Sequence, residues 1–390
     1  MITPSLHLYG RPTGDEAHIR DLTPIARGWQ RRTHRLYGYL AGSFGLSSAD
    51  MSKDEIIWLY HSAIGCTVRE KTAGMTSWEG LVWEMKLTLG GVTYVRTLDP
   101  EWFSNKVAVA YSTVNDSGLM TAWSENGDSS DMYGEMQYID TMGSTSSLAA
   151  LAWRDRRVAE MSWPRSRMVG GVTLGQASDD VSLEVSVVGY WSTLNWRYYT
   201  ADTTAEANSL VSTLVALSEF VTAGRIETNA LSVRANSATG TRQQRLGDLI
   251  ADIINMGDAS GNVWQGGVYA DKRLRYEQAP TTPTHYLQRG RLLNAGMSEP
   301  VLSMVEPGIL VKNLDAPMGY PAYGTYGAFD DPAIGYVEQV EYAAPNTLSL
   351  QFSGADEDMS VLGSQFSAGI GGALVKRWVR TAWGLRRSSA

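Results

Sequence analysis

The chain has 390 residues, 43% hydrophobic and 19% charged, with a net charge of −8. That length exceeds one ordinary core and predicts two or three domains, and the composition excludes a disordered chain. The acidity argues against a dedicated duplex nucleic-acid binder, which would carry a basic stripe, while leaving room for a pore wall that repels phosphates. In chain order, residues 1–24 hold Pro4, Pro12 and Pro24 and read as an arm or irregular lead-in strand. Gln30–Tyr39 is strand-compatible with poor alternation, and Met51–Ala63 reads as a short helix capped from Ser47–Asp50. The clearest strand signal is Trp78–Leu98. There Leu81, Trp83, Met85, Leu87 and Leu89 alternate with Val82, Glu84, Lys86 and Thr88, and Gly90-Gly91 turns the chain into a β-rich return. With Cys66–Glu70 before it and Lys106–Tyr111 after it, this hairpin predicts an antiparallel β-domain over 25–125.

Residues 126–166 form a polar, turn-rich insert, with a helix expected over Ser147–Met161 and stopped by Trp163-Pro164. A second β-domain is predicted over 167–352. Val181–Tyr190 alternates, and Trp196–Thr200 is strand-prone. Helices are expected over Ala205–Val221, capped by Thr203 or Thr204, and over 242–256, capped by Gly257. The stretch Gly257–Pro280 then reads as a helix-to-hairpin joint in which Gly266-Gly267 turns Val263-Trp264 back against Val268-Tyr269. Five short strands follow at Thr284–Leu287, Val301–Val305, Ile309–Asn313, Tyr336–Tyr342 and Thr347–Phe352. Residues 353–390 comprise a Gly-rich linker and a basic amphipathic helix. The fold class is therefore mainly β with α insertions (α+β): two tube-type antiparallel β-barrel or sandwich domains, a mixed insert and a C-terminal helix.

No catalytic signature is visible. Asp258, Ser260 and Asn262 are spaced like the start of a calcium loop, but the twelfth position is Tyr269 where a Glu is needed, so a turn explains them. Gly369, Gly371 and Gly372 lack the strand and Lys-Ser/Thr of a phosphate loop and read as a hinge. The five histidines show no metal spacing, Cys66 has no surrounding motif, and Asp330-Asp331 and Asp356/Asp358 lie in loop contexts. Trp123, Trp153, Trp163, Trp191, Trp196 and Trp264 read as core or interface aromatics, with carbohydrate stacking as the rival. The basic segment is the one stretch with a functional reading: Lys376, Arg377, Trp378, Arg380 and Trp383 are expected to dock on a partner surface. Neither a secretory signal nor a run of about 18 apolar residues is present, which predicts a soluble protein made in a cytoplasm.

Four phrases together resemble tail-hub proteins of tailed bacteriophages. These are SWEGLVWEMKLTLGG at Ser77–Gly91, preceded by GCTVRE; VSVVGYWSTLNWRYY at Val185–Tyr199; Ile253–Pro280; and GYVEQVEYAAPNTLSLQF at Gly335–Phe352. The resemblance covers most of 25–352; residues 112–166 and the basic tail match nothing in it. It implies a tail or baseplate hub protein with two tube-type barrels per chain, three copies forming a ring. That ring would adapt the tail tube to the tail tip, with the chain itself, tail-tube and distal tail proteins, and tail-tip or fibre proteins as partners. DNA would pass through the channel without specific binding. The implied location is the virion tail, with no cofactor and no enzymatic activity. The rival readings are another virion component, such as a connector or receptor-binding protein, and a carbohydrate-active enzyme on a β-scaffold.

Overall fold

The computed structural model describes residues 4–114, 116, 118–170, 180–235, 244–315, 334–344, 347–352, 378–381 and 384–387. The first part of the chain forms β1 (Ser5–Tyr9), β2 (His18–Asp21), β3 (Arg27–His34), β4 (Gly38–Ser47), α1 (Lys53–Ser62), β5 (Thr67–Thr72), β6 (Met75–Leu89) and β7 (Val92–Thr97). Residues 106–161 contribute β8 (Lys106–Ser112), β9 (Leu119–Met120), β10 (Ser124–Glu125), α2 (Gly127–Tyr133), β11 (Gln137–Ser144) and α3 (Ser147–Met161). Then come β12 (Arg167–Val169), β13 (Val181–Val188), α4 (Trp191–Leu194), β14 (Tyr198–Tyr199), β15 (Thr203–Glu206), α5 (Ala207–Ala216), β16 (Thr222–Ile226), β17 (Ser232–Ala235), β18 (Gln244–Arg245) and α6 (Leu246–Met256). The remaining strands are β19 (Trp264–Tyr269), β20 (Arg273–Gln278), β21 (His285–Gln288), β22 (Arg291–Asn294), β23 (Leu310–Asn313), β24 (Ile334–Ala343), β25 (Thr347–Phe352), β26 (Trp378–Thr381) and β27 (Gly384–Arg387). The chain is thus mainly β with α insertions, as its strand periodicities predict.

The longest strand, β6, organises the sheet. One edge pairs with β5 through Met75–Leu81 and with β7 through Glu84–Leu89, and the other pairs with β13. The β6–β7 turn uses Gly90 and Gly91, both at positive φ, as a tight antiparallel turn requires. β13 in turn pairs with β4, and β4 with β3. The ladder therefore runs β5–β6–β13–β4–β3, with three strands between β3 and β5. In a flat sheet those two would lie about 19 Å apart. Instead Arg31 Nε of β3 sits 3.1 Å from Glu70 Oε2 of β5, so the sheet is rolled and this pair bridges its interior. Both side chains are almost wholly buried (Arg31 2% exposed, Glu70 0%). Ser77 Oγ and Trp29 Nε1 also donate to Glu70, and Arg31 donates to the Ser303 carbonyl and lies over the Tyr342 ring.

Neither strand pairing nor core packing follows the division expected at 126–166. β13 lies between two strands of the first expected domain, and β24 extends the sheet beyond β3. One apolar core runs from Leu6 to Tyr276, and a smaller one joins Leu292, Val305, Val311, Val337 and Val340. Several local expectations are corrected. Of the two readings of 1–24, the structure gives strand rather than arm for its described part: β1 pairs with β2 and β5 and buries Leu6 and Leu8. β8 does not adjoin the β6–β7 hairpin; the β7 edge carries β12, and β8 is instead the central strand of a separate sheet, between β10 and its parallel partner β11. α5 is shorter than expected, because Thr203–Glu206 pairs as a strand with β17, and Thr222–Ile226 is a strand of its own. Leu302–Met304 is a 3-10 turn rather than a strand. The basic segment, expected as a helix, forms the antiparallel pair β26–β27; Trp378, Val379 and Thr381 favour an extended chain, and a helix here would carry Gly384.

Gly266 and Gly267 are also corrected. They do not make the hairpin turn, which is Ala270–Lys272 with Asp271 and Lys272 at positive φ. They lie inside β19, where it pairs in parallel with the start of β4. A Cβ on Gly267 would meet the Gly38 nitrogen at 2.1 Å, and one on Gly38 would meet the Val268 carbonyl oxygen at 2.2 Å. The Val268 N–H donates to the Tyr37 carbonyl at 3.1 Å, so the backbones touch directly here.

Three substitutions test this packing. Glu70→Gln leaves Arg31 as an uncompensated buried cation and should cost about 3–5 kcal/mol in urea denaturation, with part of the loss recovered when Arg31 and Glu70 are both replaced by Met. Gly267→Ala forces the β4–β19 pairing apart and should cost about 1–3 kcal/mol, whereas Leu214→Val, a small core truncation in α5, should cost about 1 kcal/mol.

Candidate docking cleft

An open cavity of about 570 Å³ lies beside β1, between α1, α2 and the Gly10–Asp15 loop. Its floor is Leu8 of β1 with Ala63 and Cys66, and its walls are the Gly10–Asp15 loop, α1 and α2. α1 starts with a capping box in which Ser52 accepts from the Glu55 N–H and Glu55 accepts from the Ser52 N–H. The helix buries Ile56, Leu59 and Tyr60 and turns Trp58 outward, 52% exposed, onto the cleft. α2 is capped by Asn126 and presents Asp128, Asp131 and Met132. The loop is fastened across the cleft: Thr13 Oγ1 donates to the Met132 carbonyl at 2.8 Å. Arg11 donates to the Ile64 and Ser62 carbonyls at 3.0 and 2.9 Å and stacks its guanidinium on Tyr133.

The chemistry of this cleft is that of a binding surface. Burial pushes the Cys66 thiol pKa up, away from nucleophile range, and its Sγ lies 3.7 Å from the Ser62 carbonyl. Asp15, Asp128 and Asp131 are exposed and form no ion pair among the described residues. Met132 and Ile19 are also exposed at the rim. The cleft was not anticipated from sequence. The available signal was Trp58, a large aromatic on the helix side opposite Ile56, Leu59 and Tyr60.

Elsewhere, candidate chemistry resolves into structure. Asp258 makes an Asx turn: its carboxylate accepts from the N–H groups of Ser260 and Asn262 at 2.9 and 3.0 Å, from Asn262 Nδ2 at 2.8 Å and from Trp264 Nε1 at 3.2 Å. The Asn262 bonds first, then the others, hold its pKa down to about 2. Gly257 ends α6, its N–H donating to Ile254. Burial pushes the His34 imidazole down to about 4, and its Nδ1 accepts from the Leu36 N–H. Glu79 is buried on β6; burial raises its pKa against the opposing pull of Arg69, which also bridges to Glu16. Glu79 accepts the Lys272 N–H at 2.6 Å, and the Lys272 ammonium bridges to Glu16, so this network pins the β19–β20 turn. Trp191, Trp196 and Trp264 are core residues, and the exposed Trp153 donates its Nε1 to Asp140. No group of three or more His, Cys, Asp or Glu fit to hold a metal occurs among the described residues. Lys376, Arg377, Trp383, Asp330-Asp331, Asp356/Asp358 and Gly369–Gly372 lie outside the described residues; Trp378 and Arg380 are on β26, facing Arg387 and Leu385 in the ladder. Among the described residues no helix is long and apolar enough to cross a membrane.

No known protein family matches the chain, and no curated protein matches it. Among solved structures, the chain is similar to the 43 kDa tail protein of prophage MuSo2 from Shewanella oneidensis. The match has a TM-score of 0.39 and 7% identity, covering 90% of this chain and 95% of that one.

The Asx turn gives a pH prediction. Because the Asp258 pKa is lowered on folding, its stabilisation is complete above the ordinary carboxylate pKa and is lost as pH falls toward about 2. Asp258→Ala should therefore destabilise the protein at pH 6 and by progressively less between pH 4 and 2, as read by urea midpoints across that range.

Proposed function

We propose that the chain is a structural component of a bacteriophage tail: a homotrimeric baseplate-hub ring, without enzymatic activity, that lines the tail channel and joins the tail tube to the tail tip. The observation that carries this reading is the convergence of the four hub-like phrases. They are spread from Ser77 to Phe352, yet they supply β6, β13, α6 with β19–β20, and β24–β25. β13 pairs directly with β6, β19 pairs with the start of β4 beside it, and β24 continues the same sheet through β3. The phrases thus belong to one connected β-wall, the part a ring of barrels is built from. The rolled sheet with its internal ion-pair bridge suits a part whose task is to hold a fixed shape under load. In this reading the chain acts in the virion after synthesis in the host cytoplasm. Its net charge of −8 fits a channel that passes DNA without binding it.

Light scattering on the purified protein should give three times the 42.7 kDa chain mass, and labelled antibody should mark the tail tip in images of the particle. A sixfold or twelvefold ring near the capsid, or a peripheral fibre position, would overturn the assignment.

A further inference from the structure

We propose that the cleft between α1, α2 and the Gly10–Asp15 loop is the docking site for the chain's own C-terminal segment, Lys376–Arg387. The cleft and the segment are chemically complementary. On the cleft side, Trp58, Ile19 and Met132 expose apolar surface around a floor of Leu8 and Ala63. Asp15, Asp128 and Asp131 stand at the same rim without ion-pair partners among the described residues. The cation in the cleft, Arg11, does not neutralise them, because its guanidinium is engaged by two backbone carbonyls and the Tyr133 ring. On the segment side, Lys376, Arg377, Arg380, Arg386 and Arg387 supply five positive charges, Trp378 and Trp383 supply two aromatic anchors, and no acid intervenes. Aromatic anchors set in a pocket with charges at the rim are the pattern of energetic centres in protein interfaces. A volume of about 570 Å³ is in the range of clefts that take such groups.

The connection permits the contact. Residues 353–377 separate β25 from β26, and a fully extended chain of that length spans up to about 85 Å, so the segment can reach a cleft on its own subunit or on a neighbouring copy. Within the segment, β26 and β27 pair antiparallel. In this cleft an exposed tryptophan stands beside three carboxylates that form no ion pair among the described residues. The inference stands on these features and does not depend on the hub assignment.

The test uses the full chain carrying a photo-crosslinking residue, Trp383→p-benzoylphenylalanine. Illumination followed by peptide mapping should place adducts on Trp58, Met132 or Ile19. Changing Asp15, Asp128 and Asp131 together to Asn should lower adduct yield by about fivefold, as expected for the loss of a few exposed charge pairs. The melting temperature should stay within a few degrees, since all three side chains are exposed. Adducts confined to other surfaces would overturn the proposal. So would undiminished yield in the triple variant, or binding of the segment to anionic vesicles or to DNA with no adduct in the cleft.

Discussion

The Arg31–Glu70 pair is the constraint on which the rest of the arrangement depends. Removing both charges from water carries a desolvation cost of several kcal/mol per ion, so such a pair persists only with near-complete hydrogen bonding. Here the partners come from five separate segments: Trp29 beside Arg31 on β3, Glu70 on β5, Ser77 on β6, Ser303 in the 3-10 turn and Tyr342 on β24. Each segment must be in register for the pair to be satisfied. The pair therefore fixes how far the sheet rolls and where the last strands attach. Apolar residues in its place would stabilise the interior without specifying one geometry. The Glu79–Arg69–Glu16 bridge with Lys272 does the same for the β19–β20 turn, holding two non-glycine residues in left-handed backbone conformations.

This interior economy contrasts with the cleft. Inside, Arg31, Glu70 and Glu79 each have an opposite charge in contact. At the cleft, three carboxylates stand exposed while the nearby guanidinium is held by carbonyls. The difference separates charges that specify the fold from charges available to something else. The motif-like residues, Asp258 above all, are consumed in turns, whereas the cleft is assembled from unremarkable positions in β1, α1 and α2.

Local structure was largely legible in the sequence, and long-range arrangement was not. The β6–β7 hairpin, α3 and the end of α6 at Gly257 follow from alternation, helical spacing and capping, which act over a few residues. Sequence and structure part where a distant partner decides. Gly266-Gly267 looks like a turn because nothing nearby shows that β4 will press against it from more than 200 positions away. Thr203–Glu206 looks like a helix start because its strand partner, Ser232–Ala235, lies beyond the helix. The polar insert looks like a domain boundary, yet β13 returns after it to fill the gap between β4 and β6. Of the cleft, only the outward Trp58 was readable; the approach of α2 to the 10–15 loop is a tertiary fact.

The position of β13 has a consequence for biosynthesis. A ribosome emits β4 and β6 long before residues 181–188, so both strands wait with an unfilled edge toward each other. The far edge of β3 stays open longer still, until β24 at residues 334–343 has emerged. Closing contacts across such separations is slow, and open strand edges invite pairing with other chains. Neighbouring nascent chains on one polysome would present the same unfilled edges to each other. The period of greatest exposure to mispairing therefore spans most of translation, and a pause before residue 181 would lengthen it where the sheet is least complete.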